Sequence, residues 1–225
     1  MTFLIGSAIL LLKIKDPDYT MDSRTAAYYK EQAENASELY NTAEKGVSIY
    51  FERSFPAGTS VLDIGCGSGR DLRILLDMGY DACGIDSSPE MIKSAVKADP
   101  NLKERTAEGT IPGEGLFFNR KFECILCSAV LMHITDKEIE DAALTLKNSL
   151  IDGGRLLISV PVERSGLDNE SRAPDGRLFV MRKPEYYNSL FINLGFTKTA
   201  WYEDEDSLGR RGVKWGAGLY TLESD

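Results

Sequence analysis

The sequence predicts an α/β protein, with a mostly parallel β-sheet and helices on both faces. Three observations carry this. From about residue 57 onward, short apolar runs of strand length alternate with amphipathic stretches of helix length, the pattern of repeated βα units. The first run (Val61, Leu62, Ile64) is apolar in the way of a strand buried on both faces. That run is joined to a helix by a turn, "VLDIGCGSGRD" (61–71), holding Gly65, Gly67 and Gly69 within five positions.

The elements follow in order. "RTAAYYKEQAENASELYNTAEKGVSIYFERSF" carries Ala, Leu, Tyr and Ile at helical spacings, so one or two helices are expected over residues 23 to 54. Pro56 and Gly58 break the pattern before strand one. Leu72, Leu75 and Leu76 form one helix face after the glycine turn, and Gly79 stops it. "DACGID" is strand two, ending at Asp86. In the next helix Ser88 is the N-cap, Pro89 the first helical residue, and Met91, Ile92 and Val96 point inward. "NLKERTAEG" gives a short third strand ending near Ala107, and "KFECILCSAV" the fourth. "TDKEIEDAALTLKNSLI" opens with Thr135 and Glu138 as a capping box and carries an inward stripe of Ile139, Ala142, Ala143, Leu146 and Leu150. "GGRLLISVPV" is strand five, residues 163 to 177 a long polar loop, and "KPEYYNSLFINLGF" a helix closed by Gly195. The tail reads as two β segments joined by a Gly-rich turn, with "WYEDEDS" as an exposed acidic edge.

A chain of 225 residues with 43% hydrophobic content is long enough for one ordinary domain with a real core. The net charge of −9 argues against a nucleic-acid partner, which needs Lys and Arg to neutralise phosphates. Cys124 and Cys127 form a CxxC, but residues three apart on a strand point to opposite faces. With four cysteines and one histidine in the chain, no metal site is expected; reduced thiols in a cytoplasmic protein are. "FLIGSAILLLKI" (3–14) is apolar but shorter than the ~20 residues of a membrane span, and it lacks the flanks of a signal peptide. The expected organisation is an apolar N-terminal extension (1–20), a helical lid (21–56) and a ligand-binding domain (57–225), with no membrane partner. Nothing in the sequence sets an oligomeric state.

In such sheets ligands bind at the carboxyl ends of the strands. Gly65 to Gly69, Asp86, Glu108 and Ser128 all follow strand ends and should line one edge. Asp86 stands 17 residues after Gly69, where an acid accepts both hydroxyls of a ribose. The turn reads D-x-G-x-G-x-G from Asp63, not the dinucleotide G-x-G-x-x-G. A carboxylate at Asp63 would repel a pyrophosphate but suits a ligand carrying an ammonium group.

Here the sequence resembles the class I S-adenosylmethionine-dependent methyltransferases. "VLDIGCGSGRD" is close to their first motif, "GIDSSPEMI" to the acidic second, and "FECILCSAVLMHI" and "GGRLLISVPV" match the fourth and fifth strand segments. The likeness covers about residues 25 to 223. It implies a Rossmann-like fold with a seven-stranded, mostly parallel sheet and a C-terminal antiparallel hairpin. It also implies S-adenosylmethionine as cofactor, with S-adenosylhomocysteine as product. Gly65, Cys66, Gly67 and Gly69 would wrap its methionine and ribose, Asp63 would orient its amino group, and Asp86 would hold the ribose. Ser87 and Met91 would border the adenine, Ala107 and Glu108 its edge, and Cys127 and Ser128 the sulfonium side.

His133 is the only base in the chain with an ordinary pKa near ~6.5, so it is the candidate to take a proton from a hydroxyl acceptor. Tyr28 and Tyr29 are candidates to cover the site, and Arg164 and Arg177 to grip an acidic substrate. The base-methylating N/D/S-P-P-aromatic tetrapeptide and the Pro-Cys pair are absent. A small-molecule methyl acceptor is therefore expected. Two other classes stay open: a binding protein for the same cofactor without turnover, and an NAD-linked oxidoreductase or epimerase.

Overall fold

The computed structural model describes residues 21–43 and 46–224; the apolar stretch within residues 1–20 lies outside the described residues. Seven strands form one sheet in the order β3-β2-β1-β4-β5-β7-β6. They are β1 (Ser60–Ile64), β2 (Asp81–Asp86), β3 (Thr106–Glu108), β4 (Phe122–Ser128), β5 (Leu150–Arg164), β6 (Phe196–Glu205) and β7 (Val213–Leu222). Only β7 runs against its neighbours, so the sheet is the expected Rossmann-like one with its C-terminal hairpin.

Side chains alternate cleanly between the faces. Leu62, Ile125, Cys127, Leu156 and Ile158 pack under α6 (Ile139–Asn148) and α7 (Pro184–Asn193). Val61, Cys124, Leu126 and Leu157 pack on the other face under α3 (Phe51–Ser54), α4 (Arg70–Asp77) and α5 (Pro89–Ala98). Burial of both faces is why β1 and β4 read as continuous apolar runs. The two cysteines of the CxxC lie in different layers, and all four cysteines are free and buried.

The N-terminal helices are α1 (Ser23–Glu31) and α2 (Ala33–Asn41). They break at Gln32 and lie across α5 through Ala33, Ala36 and Met91. Long-range polar contacts tie α1 to the polar loop. Arg172 forks onto Asp22 at 2.8 and 3.0 Å, and the Leu178 N–H donates to Thr25 Oγ1 at 3.0 Å. The Ser88 cap is as expected, its Oγ accepting from the Met91 N–H at 3.2 Å.

Three expectations are corrected. Thr135 and Glu138 bond each other side chain to side chain instead of capping, and α6 begins only at Ile139. Leu150 is the first residue of β5 rather than the last of the helix stripe, because the chain has already entered the sheet beside Phe122. In α5 the fully buried positions are Met91 and Ala95, with Ile92 and Val96 half-buried, since Ala95 is the residue small enough to meet Gly69.

Candidate functional site

The parallel strands end at one edge, and a cleft opens there between the ends of β1, β2 and β4 and the N-terminal helices. The glycine turn forms its floor. Its first two N–H groups, of Gly65 and Cys66, both donate to the Ile85 carbonyl, at 2.8 and 2.9 Å, which pins the turn to the end of β2. Gly65 has φ +73°, and a Cβ there would stand 2.3 Å from Val130 Cγ2. Gly69 has φ +72°, and a Cβ there would meet Leu102 Cδ1 at 2.6 Å. These two positions accept only glycine, for backbone and packing reasons together.

Two carboxylates hold the turn's shape and charge. Asp86 accepts from the Gly67 N–H through Oδ2 and from the Ser88 N–H through Oδ1, both at 2.9 Å. Burial raises its pKa, against the lowering effect of those two bonds. Each oxygen keeps a lone pair for a further donor. Asp63 lies beneath the turn, 2% exposed, and its Oδ2 has no hydrogen-bond partner. Burial first, then the nearby charges of Asp71 and Asp86, push its pKa well above the carboxylate range. Arg70 opposes this, but its guanidinium is already forked onto Asp71 at 2.9 and 3.0 Å. A buried acid left so exposed to like charge favours a cationic ligand group close by.

The outer half of the cleft is built differently. His133 sits at its wall, 5% exposed. Its Nδ1 lies 2.6 Å from the Leu178 carbonyl, an acceptor only, so that nitrogen carries the proton. Its Nε2 therefore faces the Tyr29 hydroxyl, 3.3 Å away, as an acceptor. Burial pushes the imidazole down to about 4, so the ordinary basicity expected from the sequence is not what this environment gives. Arg177, also buried, pairs with Asp175 at 2.7 Å and donates to the Tyr29 and Tyr40 hydroxyls at 3.3 and 3.0 Å. Arg164 lies with its Cζ 3.7 Å from the Phe179 ring centroid.

Of the residues singled out by sequence, the structure brings Gly65, Cys66, Gly67, Asp86, Ser87, Met91, Ser128, Tyr29, His133, Arg164 and Arg177 to the cleft wall. Asp63 and Gly69 lie under it. Ala107, Glu108, Cys127 and Tyr28 do not line it. Ala107 and Cys127 face the core, Glu108 faces solvent, and Tyr28 lies under the Arg177 guanidinium, 4.2 Å from its ring centroid. β3 is only three residues long, and the chain just beyond it, Gly109 to Ile111, takes the wall position instead. A glycine straight after a strand, as at Gly65, was the signal for it. Sequence reading also missed Tyr40, Tyr50, Phe179 and Trp215, which reach the cleft from distant segments. The acidic tail stretch is not an exposed edge throughout. Asp206 is buried, and it binds Trp215 Nε1 at 2.8 Å and Arg210 at 2.6 Å. Burial raises its pKa, but Arg210 and Trp215 outweigh this and hold it at about 2.

A family profile described as a methyltransferase domain matches residues 31–200. The chain is 30% identical over 156 residues to a ubiquinone biosynthesis O-methyltransferase of Psychrobacter cryohalolentis, covering 67% of this chain and 52% of that protein. It is 29% identical over 116 residues to the mitochondrial ubiquinone biosynthesis O-methyltransferase of Schizosaccharomyces pombe, covering 49% and 41%. The match thus spans about half or less of the length of these relatives. Among solved structures, the Burkholderia thailandensis 1,6-didemethyltoxoflavin-N1-methyltransferase, with its substrate and S-adenosylhomocysteine bound, superposes with a TM-score of 0.71. That likeness covers 89% of this chain and 88% of the other at 17% identity, and so speaks to the fold. With a family match over most of its length and this sheet around a glycine turn, the chain belongs to the methyltransferase-domain family and has the class I, Rossmann-like fold of the S-adenosylmethionine-dependent methyltransferases.

Proposed function

We propose that the protein transfers a methyl group from S-adenosylmethionine to a small-molecule acceptor. The observation that carries this is the pair of acids around the glycine turn. Asp86 has lone pairs free at the cleft floor, and the buried Asp63 beside the turn has an orphaned Oδ2. Those residues fit a ligand with a vicinal diol and an ammonium group. Asp86 would accept from the ribose hydroxyls, Asp63 would compensate the amino group, and Ser87 and Met91 would border the adenine. When bound, the cofactor supplies an electrophilic methyl on a sulfonium.

The chain's own contribution is placement. The turn and Ser128 fix the cofactor side, and Tyr29, Phe179 and Trp215 shape the acceptor side, so the acceptor atom is held in line. His133 is too weak a base at about 4 to be matched to neutral pH. It is read as a positioning residue that holds Tyr29 over the cleft. The N-terminal helices over residues 21–56 serve as the cover, with the domain from 57 onward beneath. Among the described residues no helix is long and apolar enough to cross a membrane. Four free, buried thiols support a cytoplasmic location.

Calorimetric titration with S-adenosylmethionine, S-adenosylhomocysteine and NAD tests the reading. Micromolar binding of the first two without NAD is expected. Binding of NAD alone would overturn it. Cofactor binding with no demethylated product across a broad acceptor screen would leave the non-catalytic binding protein.

A further inference from the structure

The cleft holds several guanidinium groups, and their pairing differs. Arg70 is forked onto Asp71, Arg177 onto Asp175, and Arg210 onto Asp206. Among the described residues Arg164 has no carboxylate within ion-pair distance, and its Nε is buried without a hydrogen-bond partner. The fold places it there. β5 stays paired with β4 only as far as Ser159, then runs on beside β7 to Arg164, which stands opposite Val213. This overshoot carries one arginine past the sheet edge and out over the cleft.

Arg164 is also stacked on Phe179. A guanidinium covered on one face keeps its N–H edge for a partner in its own plane, and a planar carboxylate matches that edge with two parallel bonds. Burial first, then the nearby Arg210 and Arg177 charges, lower its pKa, while Asp175, which is forked onto Arg177, opposes this. The acids at this end are engaged elsewhere. Asp204 accepts from the Tyr50 hydroxyl, and the Glu205 side chain is 83% exposed, near Lys214. The neighbouring wall is aromatic, with Phe179 and Trp215.

We propose that the methyl acceptor is a ring-bearing carboxylic acid whose carboxylate is received by Arg164, with its ring against Phe179 and Trp215. This rests on the methyltransferase reading and names the substrate class of the same site.

The test is calorimetric titration of the 225-residue chain, with and without S-adenosylhomocysteine. The probes are benzoate, 4-hydroxybenzoate and 3,4-dihydroxybenzoate, each paired with its neutral primary amide, and inorganic phosphate. The acids are expected to bind at least tenfold more tightly than their amides. Arg164→Gln should abolish that preference and Arg164→Lys should keep part of it, with thermal midpoint and S-adenosylhomocysteine affinity unchanged in both. Acids no tighter than amides, or a preference undiminished in Arg164→Gln, would overturn the proposal. So would phosphate displacing the acids as well as they displace one another, since the ring would then contribute nothing. Failure of S-adenosylhomocysteine to bind would sink the methyltransferase reading by itself, while the acid-to-amide ratio measured without it still decides the role of Arg164.

Discussion

The two halves of the cleft are made of different material. The inner half is mostly backbone: a turn of five residues (65–69), pinned by N–H groups to the end of β2, with two acids fixed around it. The outer half is side chains brought together from α1, the end of β4, the overshoot of β5, the loop before α7 and the hairpin. A ligand common to many reactions can be held by backbone, whose shape is the same whatever side chains surround it. A ligand particular to one enzyme must be recognised by side chains, which can vary without disturbing the sheet.

The sharpest way to break this comparison is at the backbone. Gly65→Ala combines a positive φ with a 2.3 Å approach to Val130. It should cost about 2–5 kcal/mol of stability or abolish cofactor binding, read by thermal melting and calorimetry. A fully stable, cofactor-binding variant would mean that the turn is not glycine-determined.

The outer half is probed by His133. It binds its proton at about 4 in the folded chain and at about 6.5 when unfolded, so on acidification the unfolded chain takes up the proton first. Stability should therefore fall between pH ~6.5 and ~4, by about 3 kcal/mol from this group. In His133→Gln the denaturation free energy should be flatter over that window. An unchanged slope would remove His133 from the buried network.

The next effect is at Asp86. Asp86→Ala should weaken S-adenosylmethionine binding by about 1.5–3 kcal/mol, the range for hydrogen bonds to a charged group. Equal affinity would take it out of the ribose site. The smallest effect has opposite signs in the two readouts. Asp63→Asn removes an acid that must take up a proton on folding, a cost present above the ordinary carboxylate pKa, so at neutral pH the ligand-free protein should melt about 2–4 °C higher, corresponding to about 1 kcal/mol in a chain this size. Affinity for S-adenosylmethionine should drop about tenfold. A lower melting point would show that the carboxylate is structural.

The same contrast explains what the sequence revealed. The inner half is contiguous: Asp63 to Gly69 must be read together because one turn needs them together, and Asp86 follows at a fixed strand-and-helix distance. The strands were legible because both sheet faces are buried, which leaves unbroken apolar runs. The limits were local and physical. The resemblance puts Ala107 and Cys127 at the site, whereas their side chains face the core; along a strand a shift of one residue changes the face. The acids of the tail looked solvated because nothing nearby in sequence shows that Arg210 and Trp215 fold back onto Asp206. Phe179 and Trp215 carry no motif; only the tertiary fold brings them to Arg164.

At the proposed cofactor site, the buried Asp63 would also make the cleft a proton exchanger. With Asp71 and Asp86 beside it and Arg70 already committed, its proton is held more tightly than an ordinary carboxylate would hold it. A cationic group arriving above the turn would reverse that preference and expel the proton to solvent. The heat of cofactor binding would then depend on the ionisation enthalpy of the buffer, and affinity would rise with pH until Asp63 is fully ionised in the ligand-free protein.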